Sequence, residues 1–523
     1  MLTLISFLAF TGFVAYYVWY KLRHEKLNTT DGYFLGGRSL TGIVIAGSML
    51  LTNISTEHLV GMNGSSYKNG FVIIAWEVTS ALALVVAALY FIPRYLKMGL
   101  TTIPQYLEYR FDHVTRTLVA LFLIISFVVT LLPIVLYTGA INIESIFEIS
   151  DLFGITKPEG LWLSVVVIGI VGSVYAIFGG LKAVAYSDTI NGFGLLIGGL
   201  LVTVFALMQI GDNNVWNGLV KVYNHSPEKF NVIGARDSVM PFEVLFTGLI
   251  INQLYFWGMN QTIIQRVLGA RDLKEAQKGL LITGMFKILM PLIIILPGVI
   301  GFYYFQDSLY DAQDTVYPEL VKKVLPVSLI GFFAAVVMGA VLSTFNSVLN
   351  SAATLFSLGI YQRHINPGAN EKRLVVIGKL TSAILAITAI VAAPMVANAP
   401  EGLYQLLQQL NGIFFIPIAS ILLAGFFLKK ISATGAKAGL FTGLAFYITM
   451  LYIVKTDIHF VHVWGIEFLL ILAVMYLVSW FYPNSNFYQP KYSGDLDLTP
   501  WRYTKPVAAV LVFVTLLIYF LLS

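Results

Sequence analysis

Ionisable side chains lie inside stretches apolar enough to cross a bilayer. Glu77 sits in VIIAWEVTSALAL, Lys287 in LLITGMFKILMPLIIILPG, and Glu57 and His58 in LTNISTEHLVGMNG. Charge in hydrocarbon is costly, so such residues face a protein interior or a water-filled cavity and mark binding sites or ion paths. Glu77 lies about 12 Å in from one end of its span, and Lys287 about 14 Å in from the other. Both therefore end near the midplane of a core about 30 Å thick. A buried acid and base at one level cost far less together than apart. Snorkelling of Lys287 and a protonated, hydrogen-bonded Glu77 are the plain alternatives. The preferred reading is one polar cavity faced by both.

Three further stretches supply neutral oxygens and amides. Thr52, Asn53, Ser55 and Thr56 precede Glu57 and His58. Interhelical hydrogen bonding would explain them, but so dense a cluster also fits a broken helix whose unwound carbonyls line a cavity. In FFAAVVMGAVLSTFNSVLNSAATLFSLGIY, a stripe of small residues can mean close packing. Its adjacent hydroxyls, Ser343 and Thr344, are also the neutral ligands that a hard monovalent cation needs. In LIINQLYFWGMNQTIIQR, Asn252, Gln253, Asn260 and Gln261 interrupt an apolar run, and Gly258 weakens the helix beside Tyr255, Phe256 and Trp257. That is an aromatic packing layer or a second broken helix whose rings cover a ligand. Gln405, Gln408 and Gln409 share one span, and at 100° per residue only some can face inward.

The elements that must position these groups are membrane helices. The chain has 523 residues, is 58% hydrophobic and only 11% charged. A soluble domain of this length needs more charge to coat its surface. The predicted fold is all-α integral membrane, with about 14 spanning helices. The spans are 2–20, 41–66, 69–92, 117–147, 162–178, 189–210, 242–267, 279–305, 327–360, 376–397, 403–427, 436–454, 462–481 and 505–522. No linker divides them, so 1–523 reads as a single transport domain. The first span has no basic leader and no cleavage site, and reads as an uncleaved helix. Alternate connections (21–40, 93–116, 179–188, 266–278, 361–379, 428–437 and 482–505) hold 23 of the 32 Lys and Arg residues. By the positive-inside rule these face the cytoplasm and both termini lie outside, which suits a multi-pass protein of the inner membrane. The net charge of +5 is spread over short loops and forms no nucleic-acid patch. Loops 211–241 and 306–326 read as solvated connections that can also cover an outer entrance.

The interruptions fall in the first helix of two five-helix units, 41–210 and 242–427, and the lone acid and lone base fall in the second helix of each. The units begin on opposite sides, so they are inverted in topology, the plan of an alternating-access transporter with a midplane site. Helix 2–20 precedes them and helices 436–522 follow. An enzyme is disfavoured: G-x-S-x-G and H-E-x-x-H are absent, no cysteine exists, and His58 is the one histidine at membrane depth. A channel does not need so many hydrogen-bonding groups around one ligand.

Taken jointly, GYFLGGRSL, NISTEHLVGMNGSSY, VYAIFGGLKAVAYSD, YFWGMNQTIIQRVLGARDLKEAQKG, LSTFNSVLNSAATLFSLGIY and LYQLLQQLNG resemble the sodium/solute symporter family, and within it the bacterial sodium–sugar cotransporters. The resemblance implies a LeuT-type inverted five-helix repeat with two discontinuous helices. It implies Na+ held by carbonyls of Leu51, Ile54 and Ala340 and hydroxyls of Ser343 and Thr344, with Asp188 helping the ion leave. It implies a hexose-like sugar bound by Asn53, His58, Glu77, Ser80, Lys287 and Gln408, with Trp76, Tyr137, Phe256 and Trp257 as aromatic walls and gates. The alternative on the same fold is another small solute: a sugar acid, an amino acid or a vitamin-like anion. Two positions differ from the sugar-binding pattern. His58 replaces glutamine, which can add pH dependence, and Phe256 replaces tyrosine, which removes a hydrogen bond.

Overall fold

The computed structural model describes residues 2–25, 27–398, 402–483, 492–494 and 496–523. Lys26 and Lys491, counted in the charge balance above, lie outside the described residues. The described chain forms helices and connecting loops, with no strand among them. In order they are α1 (Leu2–Leu22), α2 (Gly42–Asn53), α3 (57–69), α4 (74–97) and α5 (His113–Phe147). Next come α6 (157–179), α7 (181–210), α8 (Gly248–Gly258), α9 (Gln261–Leu268) and α10 (Leu273–Phe305). The last are α11 (Val327–Ile365), α12 (Glu371–Val396), α13 (Leu403–Phe427), α14 (Ala433–Val454), α15 (Phe460–Phe481) and α16 (Thr504–Leu521).

Among the described residues, 11 helices are long and apolar enough to span a membrane, against about 14 expected. The difference has physical causes. α6 and α7 run on as one 54-residue helix through Gly180. Gly180 has φ 59° and ψ −169°, and a Cβ there would meet the Tyr33 carbonyl at 2.7 Å. α3 and α4 merge into the single stretch Glu57–Lys97. α2, α8 and α9, with 12, 11 and 8 residues, are each too short to count alone.

Those short pieces are two interrupted helices. In the first, the last helical bond runs from the Ile54 amide to the Leu50 carbonyl at 2.8 Å, and Ile54 turns out to ψ 95°. Bonding resumes where the Ser55 carbonyl accepts the His58 and Leu59 amides. The carbonyls after Leu50 are left beyond the last helical donor. In the second, the amides of Met259 and Asn260 both converge on the Tyr255 carbonyl at 2.8 Å. Asn260 then caps α9, its side chain accepting the Thr262 amide at 2.9 Å.

Polar contacts tie the helices together at both ends of the bundle. On the face of the basic loops, the Glu275 carboxylate accepts the Gly42 amide at 2.7 Å, and Gln265 donates to the Phe34 carbonyl at 2.8 Å. On the opposite face, Asp314 accepts the amides of Gly402 and Leu403 at 3.2 and 3.3 Å, clamping a carboxylate onto the positive end of α13. Burial holds the Asp314 carboxyl above the ordinary carboxylate range, against the opposing pull of those amides and of Lys68. Asp314→Ala is expected to loosen this face. The native chain has no cysteine, so a single Gln408→Cys variant reports directly. Its labelling by an impermeant thiol reagent should accelerate several-fold when Asp314 is removed, and an unchanged rate would dismiss the clamp.

Candidate functional site

Glu77 occupies the first turn of segment Ile74–Val86, and Lys287 the last turn of segment Leu273–Leu289. Each charge thus complements the local helix dipole. Pro291 helps end the second segment, because it offers no amide to the Lys287 carbonyl. Lys287 Nζ donates to Glu77 Oε2 at 2.5 Å and to Asn53 Oδ1 at 2.7 Å. Both charged side chains are 1% exposed. The ammonium also lies 5.4 Å from the Trp257 ring centre. His58 Nε2 stands 3.8 Å from the other Glu77 oxygen, and His58 Nδ1 stands 3.7 Å from Glu57. The acid and base expected to meet at the midplane therefore do meet, across 210 residues of chain.

Around them is a cavity of about 60 Å³, well below the roughly 300 Å³ of ordinary small-molecule sites. Its lining includes Asn53, His58, Trp76, Glu77, Ser80, Phe256, Trp257, Lys287 and Gln408. Tyr137 does not line it. The neighbouring Thr138 bonds Thr56 at 2.7 Å, which turns Tyr137 about 100° away along α5. Ser80 is already engaged, donating to Gln253 Oε1 at 3.1 Å. Gln253 in turn donates to the Trp76 carbonyl at 2.9 Å, tying α8 to α4 beside the cavity. Gln408 donates to the Tyr404 hydroxyl at 2.9 Å. Of the three glutamines in α13, Gln408 faces this cavity, while Gln405 and Gln409 face a separate one.

Beside the first break, Thr344 donates to the Thr52 carbonyl at 3.0 Å. Leu51, Ile54 and Ala340 are fully buried, and Ser343 Oγ, buried beside Asp188, makes no hydrogen bond of ordinary geometry among the described residues. Native structures seldom strand a buried hydroxyl, and an ion is a standard reason for one. Asp188 lies close by: it accepts from Ser48 at 2.6 Å and has Thr52, Ser343 and Arg266 around it. These residues suit a hard monovalent cation: neutral oxygens from a broken helix and from α11, with a carboxylate one step away.

Arg266 corrects the charge count. Counted with connection 266–278 on the basic face, it is in fact 0% exposed. It donates to Ser48 at 2.8 Å, to Ser347 and to the Thr262 carbonyl, and lies 3.9 Å from Asp188. It sits in the last turn of α9, at the edge of the apolar run, where a buried and a snorkelling arginine look alike in sequence.

A family model described as Sodium:solute symporter family matches residues 33–443. The chain belongs to the sodium:solute symporter family. Na+ is therefore its coupling ion. Among this family, the chain is 43% identical over 518 residues to "Uncharacterized symporter YidK" of Escherichia coli, covering 99% of this chain and 90% of that one. It is 33% identical over 439 residues to "Sodium/glucose cotransporter" of Vibrio parahaemolyticus, covering 80% and 79%. It is 29% identical over 451 residues to the human "Sodium/myo-inositol cotransporter", covering 79% and 61%. In fold it is similar to a Na+-coupled sialic acid symporter solved in a substrate-bound outward-open state, with a TM-score of 0.78 at 20% identity over 94% of this chain and 99% of that one.

Glu57, Gln253 and Tyr404 also line the cavity. The first two stand out in sequence as polar residues inside apolar spans, without a solute-binding role assigned to them, whereas Tyr404 is not singled out there. Helical phase would have flagged Tyr404, one turn before Gln408 on the same face.

Proposed function

We propose that this symporter carries a neutral, hexose-like polyhydroxylated solute inward with Na+, by alternating access to the midplane cavity. The observation that carries the reading is the Glu77–Lys287–Asn53 cluster. Its two charges satisfy each other, so the site has no unpaired cation to attract an anion. It still offers the donors and acceptors that a ring of hydroxyls needs. Trp76, Phe256 and Trp257 supply apolar faces for the ring carbons. Similarity to glucose and myo-inositol cotransporters supports the same class. Asn53, His58, Glu77, Ser80, Lys287 and Gln408 are the proposed solute contacts. Leu51, Ile54, Ala340, Ser343 and Thr344 are the proposed Na+ ligands, Asp188 is the exit group, and Tyr137 is a gate above the cavity.

The reading extends to the architecture. The two breaks, with the double passage of α6 and α7, make fourteen crossings and two inverted units, 41–210 and 242–427. Both termini lie outside the inner membrane, because the basic loops face the cytoplasm. A cavity of about 60 Å³ must open before a hexose enters. Each Na+ crossing a potential of 100 mV releases about 2.3 kcal/mol, available to concentrate the solute.

The test is uptake by purified protein in proteoliposomes with an inward Na+ gradient. Labelled hexoses, inositols, an acidic sugar and an amino acid form the panel. Saturable, Na+-dependent uptake of a neutral sugar or polyol is expected, and Glu77→Ala is expected to abolish it. Preference for the acidic sugar or the amino acid would overturn the assignment.

A further inference from the structure

One carboxyl group has no part in the transport site. Glu467 in α15 is 0% exposed, and neither of its oxygens has a hydrogen-bond partner among the described residues. Such orphans in a native interior mark an ion, a water or a function. Among the described residues, nothing packed against α15 supplies a counter-charge. α8 and α13 carry no Asp, Glu, Lys or Arg, and their titratable side chains are Tyr255 and Tyr404. α14 carries Lys437, which is ion-paired with Asp112 at 2.7 Å, and Tyr447, which is near enough to feel the Glu467 charge. His459 and His462 lie nearer the outer end and bond Val239 and Thr247. Glu77 and His58 lie across Trp76, and Asp314 sits at the far tip of α13.

A second cavity lies along the same face of α15. Phe460 and Val463, seven and four residues before it on the same helical face, line the second cavity with Gln405, Gln409, Tyr447 and His459. That cavity holds about 270 Å³ at the face opposite the basic loops. Between it and Glu467 the Tyr447 hydroxyl donates to the Gln409 carbonyl at 3.1 Å. On the inner side, Trp464 meets Trp76 edge-on, with ring centres 6.3 Å apart. Gly412 of α13 lies so close to the Trp464 and Tyr447 rings that a Cβ would overlap them. α13, which carries Gln408 and Tyr404, is thus pressed onto α15 beside this carboxyl.

We propose that Glu467 is a cation-binding site whose ligand is the proton, loaded from the outer cavity, and that its occupancy governs whether α13 rests against α15. The packed arrangement accommodates the neutral acid and has nothing to balance the anion. An ionised Glu467 draws water in through the outer cavity and parts the two helices. Alkali on the outer face therefore loosens this seam and acid closes it. The link to transport rests on the alternating-access reading, but the seam itself does not.

The test needs no transported solute. Gln409→Cys, in this naturally cysteine-free chain, reports the outer cavity in proteoliposomes through its labelling rate with an impermeant methanethiosulfonate. Between about pH 6 and about pH 9, labelling is expected to rise several-fold more than thiol ionisation alone allows. The isosteric, permanently neutral Glu467→Gln is expected to remove that excess, and Glu467→Asp is expected to keep it with a shifted midpoint. Asp314 acts with the opposite sign, loosening in acid. Identical profiles for Glu467 and Glu467→Gln would overturn the proposal. So would an excess that His58→Gln or His459→Gln abolishes, or one that follows Na+ concentration instead of pH. Na+-driven uptake at one fixed pH tests the transport reading separately.

Discussion

Lys287→Ala is expected to abolish solute uptake and to lower the stability of the folded protein by about 3–5 kcal/mol, the cost of leaving one partner of a buried ion pair uncompensated. Glu77 would stay 1% exposed with its 2.5 Å donor gone, and Asn53 Oδ1 would lose the same donor. His58, at 3.8 Å, is too far to replace it without moving. The double variant Glu77→Gln with Lys287→Met separates the two effects. Replacing both charges by groups of similar size is often neutral for folding, so thermal unfolding in detergent should return towards the native value while uptake stays lost. A single Lys287→Ala variant with native stability would mean that the pair is not packed as described.

Thr344→Ala is expected to raise the Na+ concentration for half-maximal uptake about tenfold, which corresponds to about 1.4 kcal/mol of lost binding. Its hydroxyl holds the Thr52 carbonyl at the break and is a proposed ligand as well. Ser343→Ala gives a sharper result. That hydroxyl is buried and makes no hydrogen bond of ordinary geometry among the described residues, so its removal costs the fold little. Stability should stay level while Na+ activation weakens. Thr344→Ser should retain near-native activation. If Na+ activation curves of both alanine variants overlay the native one, the ion binds elsewhere.

The class of protein and the character of its site were legible because they depend on local composition. Long apolar runs need no tertiary information to be read as spans. Glu77 and Lys287 stand out because each is a lone charge in such a run, and counting residues from each end already puts them at one depth. The breaks were legible too, in clustered polar residues at 52–58 and in Gly258 beside Asn260. Phase and partnership were not legible. Three glutamines in five residues of α13 look equivalent until packing against α4 and α15 sends Gln408 to one cavity and Gln405 and Gln409 to another. Tyr137 reads as part of the cavity wall, yet the turn of α5 that pairs its neighbour Thr138 with Thr56 leaves it off the lining.

Arg266 and Glu467 mark the boundary most clearly. Arg266 reads as a loop cation, and Glu467 draws no reading from the sequence. Only the folded chain shows that Arg266 joins Ser48, Ser347 and Asp188, and that Glu467 has no hydrogen-bond partner among the described residues. By itself, the sequence determined the solvent each segment must occupy, since transfer free energy is set residue by residue. Tertiary structure alone decided which buried polar groups meet, because a hydrogen bond acts over about 3 Å while Asn53 and Lys287 lie 234 residues apart and Thr52 and Thr344 lie 292 apart.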